Sequence, residues 1–177
     1  MSLAYLVSSL APLIWGVNLE VSSVELRERV KLNLGAAAES SLLSLVAEKP
    51  ISLGPKLDQW FDYKTSLDYE IALVRYKKRI GSKQRLPLHP IKFAPVHDVE
   101  EVFHAANPLL GQLSYLRLLF KEAEILETGL DWNLEFVGFY AQKLKLLEDR
   151  QSYHLELGVA ALEKWADQSL KQNIGAW

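Results

Sequence analysis

The stretch 56–80 does most to limit what this chain can become. No proline or glycine interrupts it, while Gly54-Pro55 and Gly81 bracket it. Trp60, Leu67, Ile71 and Val74 recur at the spacing of one helical stripe, and Tyr69, Leu73, Tyr76 and Ile80 form a second. A helix apolar on two sides has to be covered by partners on both. At 1.5 Å per residue it extends roughly 35 Å. The pattern therefore predicts a mainly α fold, a multi-helix bundle.

Punctuation elsewhere agrees. Ser22-x-x-Glu25 has the form of a capping box, in which the serine oxygen and the glutamate satisfy free amides at a helix start. A helix should run from there to Leu34, where Gly35 stops it. A second should occupy 36–48. Residues 81–96 contain Pro87, Pro90 and Pro95 and read as an extended linker, so a single helical domain with a division into two halves there is expected. Asp98 is placed to cap a short helix through Ala106. Asn107-Pro108 is a strong helix start, with asparagine at the cap and proline at the first position. That helix should end at Gly129, and Asp131 is expected to cap the next, which breaks somewhere in 153–158. Residues 4–10, partly β-branched and aromatic, read as a short N-terminal strand.

The chain has 177 residues, 49% of them hydrophobic and 24% charged, enough to bury a core without staples. It has no cysteine, which excludes disulfides, thiolate metal sites and cysteine nucleophiles. A net charge of −2 gives no global field for nucleic acid or an anionic membrane. Residues 1–15 are apolar but lack a basic flank and contain Pro12, unlike a signal peptide. No run approaches the roughly 20 apolar residues of a membrane span. The expectation is a cytoplasmic protein without direct membrane insertion.

Few residues suggest chemistry. There is no P-loop, no Gly-x-Gly-x-x-Gly, no Gly-x-Ser-x-Gly elbow and no His-Glu-x-x-His, so neither a catalytic residue nor a cofactor is assigned. His97, Glu101 and His104 fall at i, i+4 and i+7, on one side of a helix. Glu101-x-x-His104 has the form of a di-iron bundle motif, but such a site needs a second pair and further carboxylates, and the chain has no second Glu-x-x-His. These read as ordinary helix-end residues, with no metal assigned. The basic run Arg75, Lys77, Lys78, Arg79, Lys83 and Arg85 is the sharpest charge feature. The helix dipole favours cations at a C-terminus, which explains the run structurally. The functional alternative is an acidic protein partner; with Tyr76 the only aromatic among them, nucleic acid fits poorly. Gly111, Gly138 and Gly158 sit inside helical patterns, and close helix approach explains Gly138 best.

Two stretches carry a resemblance. Tyr5-Leu6-Val7-Ser8-Ser9-Leu10-Ala11-Pro12-Leu13 resembles the opening of an uncharacterised bacterial family encoded among V-type ATPase subunits, departing from it with Ala11 before Pro12. Asn107-Pro108-Leu109, Leu130-Asp131-Trp132-Asn133-Leu134-Glu135 and Tyr140-x-x-Lys143-Leu144 are similar to that family's C-terminal part. The second group also resembles, more distantly, the helical rotor-capping component of V/A-type ATPases, which is much longer and built of three helical domains. The resemblance implies a non-catalytic ATPase component that couples the central stalk to the membrane rotor. Its partners would be the other ATPase subunits, and it would sit peripheral to the membrane through that complex. Homo-oligomerisation stays open.

Overall fold

The computed structural model describes residues 2–47, 52–80 and 96–153. Among them are seven helices and no strand: α1 (Leu3–Ser8), α2 (Ser23–Leu34), α3 (Ala36–Val46), α4 (Pro55–Ile80), α5 (Val96–Phe103), α6 (Pro108–Glu127) and α7 (Leu134–Ser152). The mainly α bundle is thus the observed architecture. The boundary expected at 81–96 lies, apart from Val96, outside the described residues. One continuous core nevertheless joins Leu6, Val30, Leu45 and Trp60 to Leu119, Phe139 and Leu144, drawing side chains from before and after that stretch.

The N-terminal strand is not formed. Residues 3–8 are helical, with the Ser2 Oγ accepting from the Tyr5 amide at 3.4 Å. Leu6 is fully buried, and Leu3, Val7 and Leu10 pack beside it. That is an i, i+3, i+4, i+7 set, so helical periodicity prevails over the β propensity of the individual residues. The Ser8 and Ser9 hydroxyls donate to the Tyr5 and Leu6 carbonyls at 2.9 and 2.7 Å and finish the turn before Pro12.

Three helix boundaries also differ from expectation. Asp98 does not cap α5, which begins at Val96; its carboxylate instead accepts from the Tyr63 hydroxyl at 2.8 Å. That helix ends at Phe103 rather than Ala106. Asp131 does not cap α7. Trp132 adopts a left-handed backbone with φ of 60°, which no L-residue sustains within a helix, so α7 starts only after Asn133. The Asn133 Oδ1 accepts from the Phe136 amide at 2.7 Å. The expected caps at Ser22 and Asn107 are formed, at 3.2 and 2.8 Å.

Helix α7 organises the bundle. Most of its residues are buried, from Glu135 to Leu147, and it packs against α2, α3, α4 and α6. Its polar side chains satisfy the ends of its neighbours. The Glu135 Oε1 accepts from the Leu57 amide in the first turn of α4 at 2.9 Å. The Glu148 carboxylate accepts from the Ser23 amide at the start of α2 at 2.7 Å, and also from the Ser23 hydroxyl. Gln142 and Lys145 donate to the Leu45 and Val46 carbonyls at the end of α3, both at 3.1 Å. Carboxylates therefore meet two helix N-termini and donors meet a C-terminus, the signs that helix dipoles favour. Gly54 makes the α4 contact possible, since a Cβ there would lie 2.3 Å from the Glu135 carboxyl carbon.

Candidate functional site: clefts at the α5–α6 corner

With Glu135, Gln142, Lys145 and Glu148 of α7 committed to helix ends, other polar side chains, among them Arg150 from the last turn of α7, gather around the corner where α5 turns into α6. Gly111 sets this corner. A Cβ on it would stand 2.7 Å from the Val102 backbone carbonyl, so only glycine lets the first turn of α6 lie this close to α5. Ala105 and Ala106 form a thin ridge, with a cleft on each side.

The first cleft, about 620 Å³, lies between α4 and the corner. Ile71, Val102, Phe103 and Pro108 give it apolar walls, and Arg75 stands in its α4 wall. Its acidic group is already engaged: Asp68 accepts from the Tyr115 hydroxyl at 2.6 Å and pairs with Lys64 at 3.4 Å. Arg75 is exposed, and among the described residues it has no ion-pair partner. The cleft therefore sets a mixed polar and apolar lining beside a cation that has no ion-pair partner among the described residues.

The second cleft, about 590 Å³, lies on the other side of the ridge. Glu100, Glu101 and His104 line its α5 side. Leu110, Leu113 and Arg117 come from α6, and Trp15 and Arg150 close its end. The Arg150 guanidinium lies over the Trp15 ring at 5.3 Å, a cation–π stack, and Trp15 in turn meets Phe120 at 5.4 Å.

Between α4, α5 and α6 runs an acidic seam. Burial, then the hydrogen bond to Asp98 and the charges around it, push the Tyr63 phenol far above its ordinary value. Burial and the neighbouring Asp98 also push Glu122 above its usual carboxylate range, with Lys121 opposing. Tyr140 is raised chiefly by burial as well.

The residues singled out from the sequence fall as follows. Arg75 and Lys77 are exposed on the last turns of α4, and Lys78 and Arg79 belong to its final turn. Lys83 and Arg85 lie outside the described residues. Glu101 and His104 share the second cleft, and His97 belongs to the first turn of α5. Among the described residues, no three histidine or acidic side chains converge as metal ligands. Gly138 meets the expectation of close approach: a Cβ there would be 2.8 Å from the Leu57 Cδ2. Gly158 is outside the described residues. Arg117 and Arg150 carry no signal in the sequence because neither belongs to a basic run; only the fold brings them to one cleft.

The resemblance residues also have places. Asn107 and Asn133 cap helices, and Glu135 caps α4. Lys143 pairs with Glu127 at 2.5 Å, and Leu144 is fully buried. The Tyr140 hydroxyl donates to the Ala11 carbonyl at 2.9 Å, so the opening stretch and the α7 stretch touch. Among the described residues, no helix is long and apolar enough to cross a membrane. Compared with known protein families, characterised proteins and solved structures, the chain matches none.

Proposed function

We propose that this protein is a non-catalytic component of a V-type ATPase, similar to the helical rotor-capping component, that couples the central stalk to the membrane rotor or assists their assembly. The observation that carries this reading is the contact between Tyr140 and Ala11. Two stretches far apart in sequence resemble the same family, and each supplies one side of a single hydrogen bond. A shared structural unit would hold them together in this way. A bundle whose helix ends are tied through one central helix also suits a part that bears load rather than one that opens around a substrate. The role is mechanical, and nucleotide chemistry belongs to other subunits.

The test is recovery of the tagged chain from its native membranes under mild detergent, followed by identification of what accompanies it. Catalytic and shaft subunits retained through a high-salt wash are the expected result. Their absence would overturn the reading.

A second reading has its own support. On it, the protein is a free-standing helical adaptor that binds an acidic protein partner through the 75–85 basic run. The observation favouring it is Arg75, exposed and without an ion-pair partner among the described residues in the wall of a cleft of mixed polar and apolar lining. Here only soluble, salt-sensitive partners would be recovered. Changing Arg75, Lys78 and Arg79 to glutamate would abolish their binding, and unchanged binding would exclude this surface.

A further inference from the structure

The second cleft carries an inference that neither reading contains. Leu110, Leu113, Ser114 and Arg117 stand at i, i+3, i+4 and i+7 on α6, so they share one face of that helix. The face is only partly covered among the described residues: α5 packs beside it and leaves Leu113 and Ser114 half-buried, while Leu110, an aliphatic side chain, is 45% exposed and Arg117 is exposed. The face runs about 10 Å along α6, two turns of helix. Its far end is closed by Trp15 and Arg150, residue types that dominate the energetics of protein interfaces.

The charges on the two walls are segregated. Arg117 and Arg150 stand on the α6–α7 side, and Glu100 and Glu101 on the α5 side. Among the described residues, none of these four has an ion-pair partner, and Arg150 has only its stack on Trp15. Elsewhere the bundle pairs such groups, as in Arg27 with Glu39, Arg29 with Glu25 and Lys143 with Glu127. A largely apolar cleft lined by two cations from α6 and α7 and two anions from α5, none in an ion pair among the described residues, calls for an occupant with apolar contacts and both signs of charge.

We infer that this groove docks a short amphipathic helix of a partner protein. Its apolar residues lie on Leu110 and Leu113. Its carboxylates face Arg117 and Arg150, and a basic or amide edge faces Glu100 and Glu101. This is helix-in-groove recognition, with apolar contacts giving affinity and the charge order fixing direction. A uniformly acidic segment fits less well, because Glu100 and Glu101 would repel it. The same charge order also disfavours an anionic lipid surface.

A photo-reactive benzophenone residue in place of Leu113, in the full chain in its native cell, tests this. The same residue in place of Leu32, 75% exposed on α2, reports background. The expected result is a cross-link from position 113, mapped by mass spectrometry to a partner helix with an acidic and a basic edge. Arg117→Glu should lower its yield about tenfold, and Arg117→Gln by less. Arg117 is exposed, so an unchanged circular-dichroism melt is expected to separate lost docking from lost folding. No cross-link above background would overturn the inference. So would a yield indifferent to Arg117→Glu, or a cross-link to lipid or to a second copy. The result is separable from the ATPase reading. A mapped helix in an unrelated protein, with no ATPase subunit recovered from the membranes, keeps the groove and removes the ATPase, while ATPase subunits recovered without a cross-link do the reverse.

Discussion

Helix α7 and the α5–α6 corner carry similar side chains and use them in opposite ways. On α7, Glu135, Gln142, Lys143, Lys145 and Glu148 all bond to groups on other helices or their ends. At the corner, Glu100, Glu101 and Arg117, joined by Arg150 from the last turn of α7, line one open cleft, and their charge is not matched by an ion pair among the described residues. Polar groups that complete backbone hydrogen bonding specify how helices meet. Polar groups left facing solvent beside apolar surface contribute little to the fold and remain available to a partner. The contrast separates residues that build the protein from residues that can recognise something else.

Substitutions in the buried part of α7, from Glu135 to Leu147, should therefore be costly. Leu144→Ala removes a fully buried side chain from the shared core and should cost about 2–5 kcal/mol, measured by urea denaturation. If Leu144→Ala were as mild as a surface change, α7 would not be the central helix. Lys143→Met should cost about 1.5–3 kcal/mol, because it strands the Glu127 carboxylate, whose second oxygen is already buried without a hydrogen bond. Adding Glu127→Leu to Lys143→Met should recover part of that loss. A double variant worse than Lys143→Met alone would mean that the pair itself holds α6 to α7.

These dependencies were only partly legible in the sequence. Local signals worked where the physics is local: Ser22, Gly35 and Asn107 each act within a few residues of themselves, and the helices they bound were expected. Residues 3–10 mislead because their β-branched and aromatic propensity competes with the Leu3, Leu6, Val7 and Leu10 spacing, which buries one helical face. Asp131 misleads because nothing local announces that Trp132 turns left-handed. The caps supplied by α7 were invisible. Leu57 and Glu135 are 78 positions apart and Ser23 and Glu148 are 125, and a helix-end carboxylate looks the same in sequence whether it caps a distant amide or faces water. The candidate site was half visible. The basic run announced Arg75, but Arg117 and Arg150 are single charges until α6 and α7 align them.

The acidic seam at the edge of the corner gives a smaller, pH-dependent effect. The Tyr63 phenol keeps its proton in the fold well beyond its ordinary value of 10.0. In the unfolded chain it ionises near that value, so above it the unfolded state holds fewer protons. Tyr63 thus favours the fold fully below that pH and progressively less above it. Unfolding by urea from about pH 8 to about pH 11 should show stability falling at the alkaline end, and Tyr63→Phe should flatten that fall. An equally steep fall in Tyr63→Phe would assign it to another group. Glu122 acts in the same sense at lower pH. Its raised value means that stability is lost as pH climbs from the ordinary carboxylate range, so Glu122→Gln should be slightly more stable than the parent at neutral pH.

The smallest expected effect is the one that most sharply divides the two regions. Arg117 is as polar as Lys143 and, like it, sits on a long helix, but it is exposed and has no ion-pair partner among the described residues. Arg117→Ala should therefore change stability by no more than about 0.5 kcal/mol, within the range of ordinary surface substitutions. The stack of Arg150 on Trp15 makes the neighbouring case different: Arg150→Ala should cost somewhat more, about 0.5–1 kcal/mol, because it removes a cation–π contact at the cleft's end. Both values come from the same urea titrations as the α7 variants. If Arg117→Ala unfolded the bundle as readily as Lys143→Met, the corner would belong to the scaffold, and its free charges would have to be explained as structure. If Arg117→Ala is neutral for stability, the fold does not depend on Arg117, and a loss of cross-linking at the groove in the Arg117 variants can then be read as lost docking rather than lost folding.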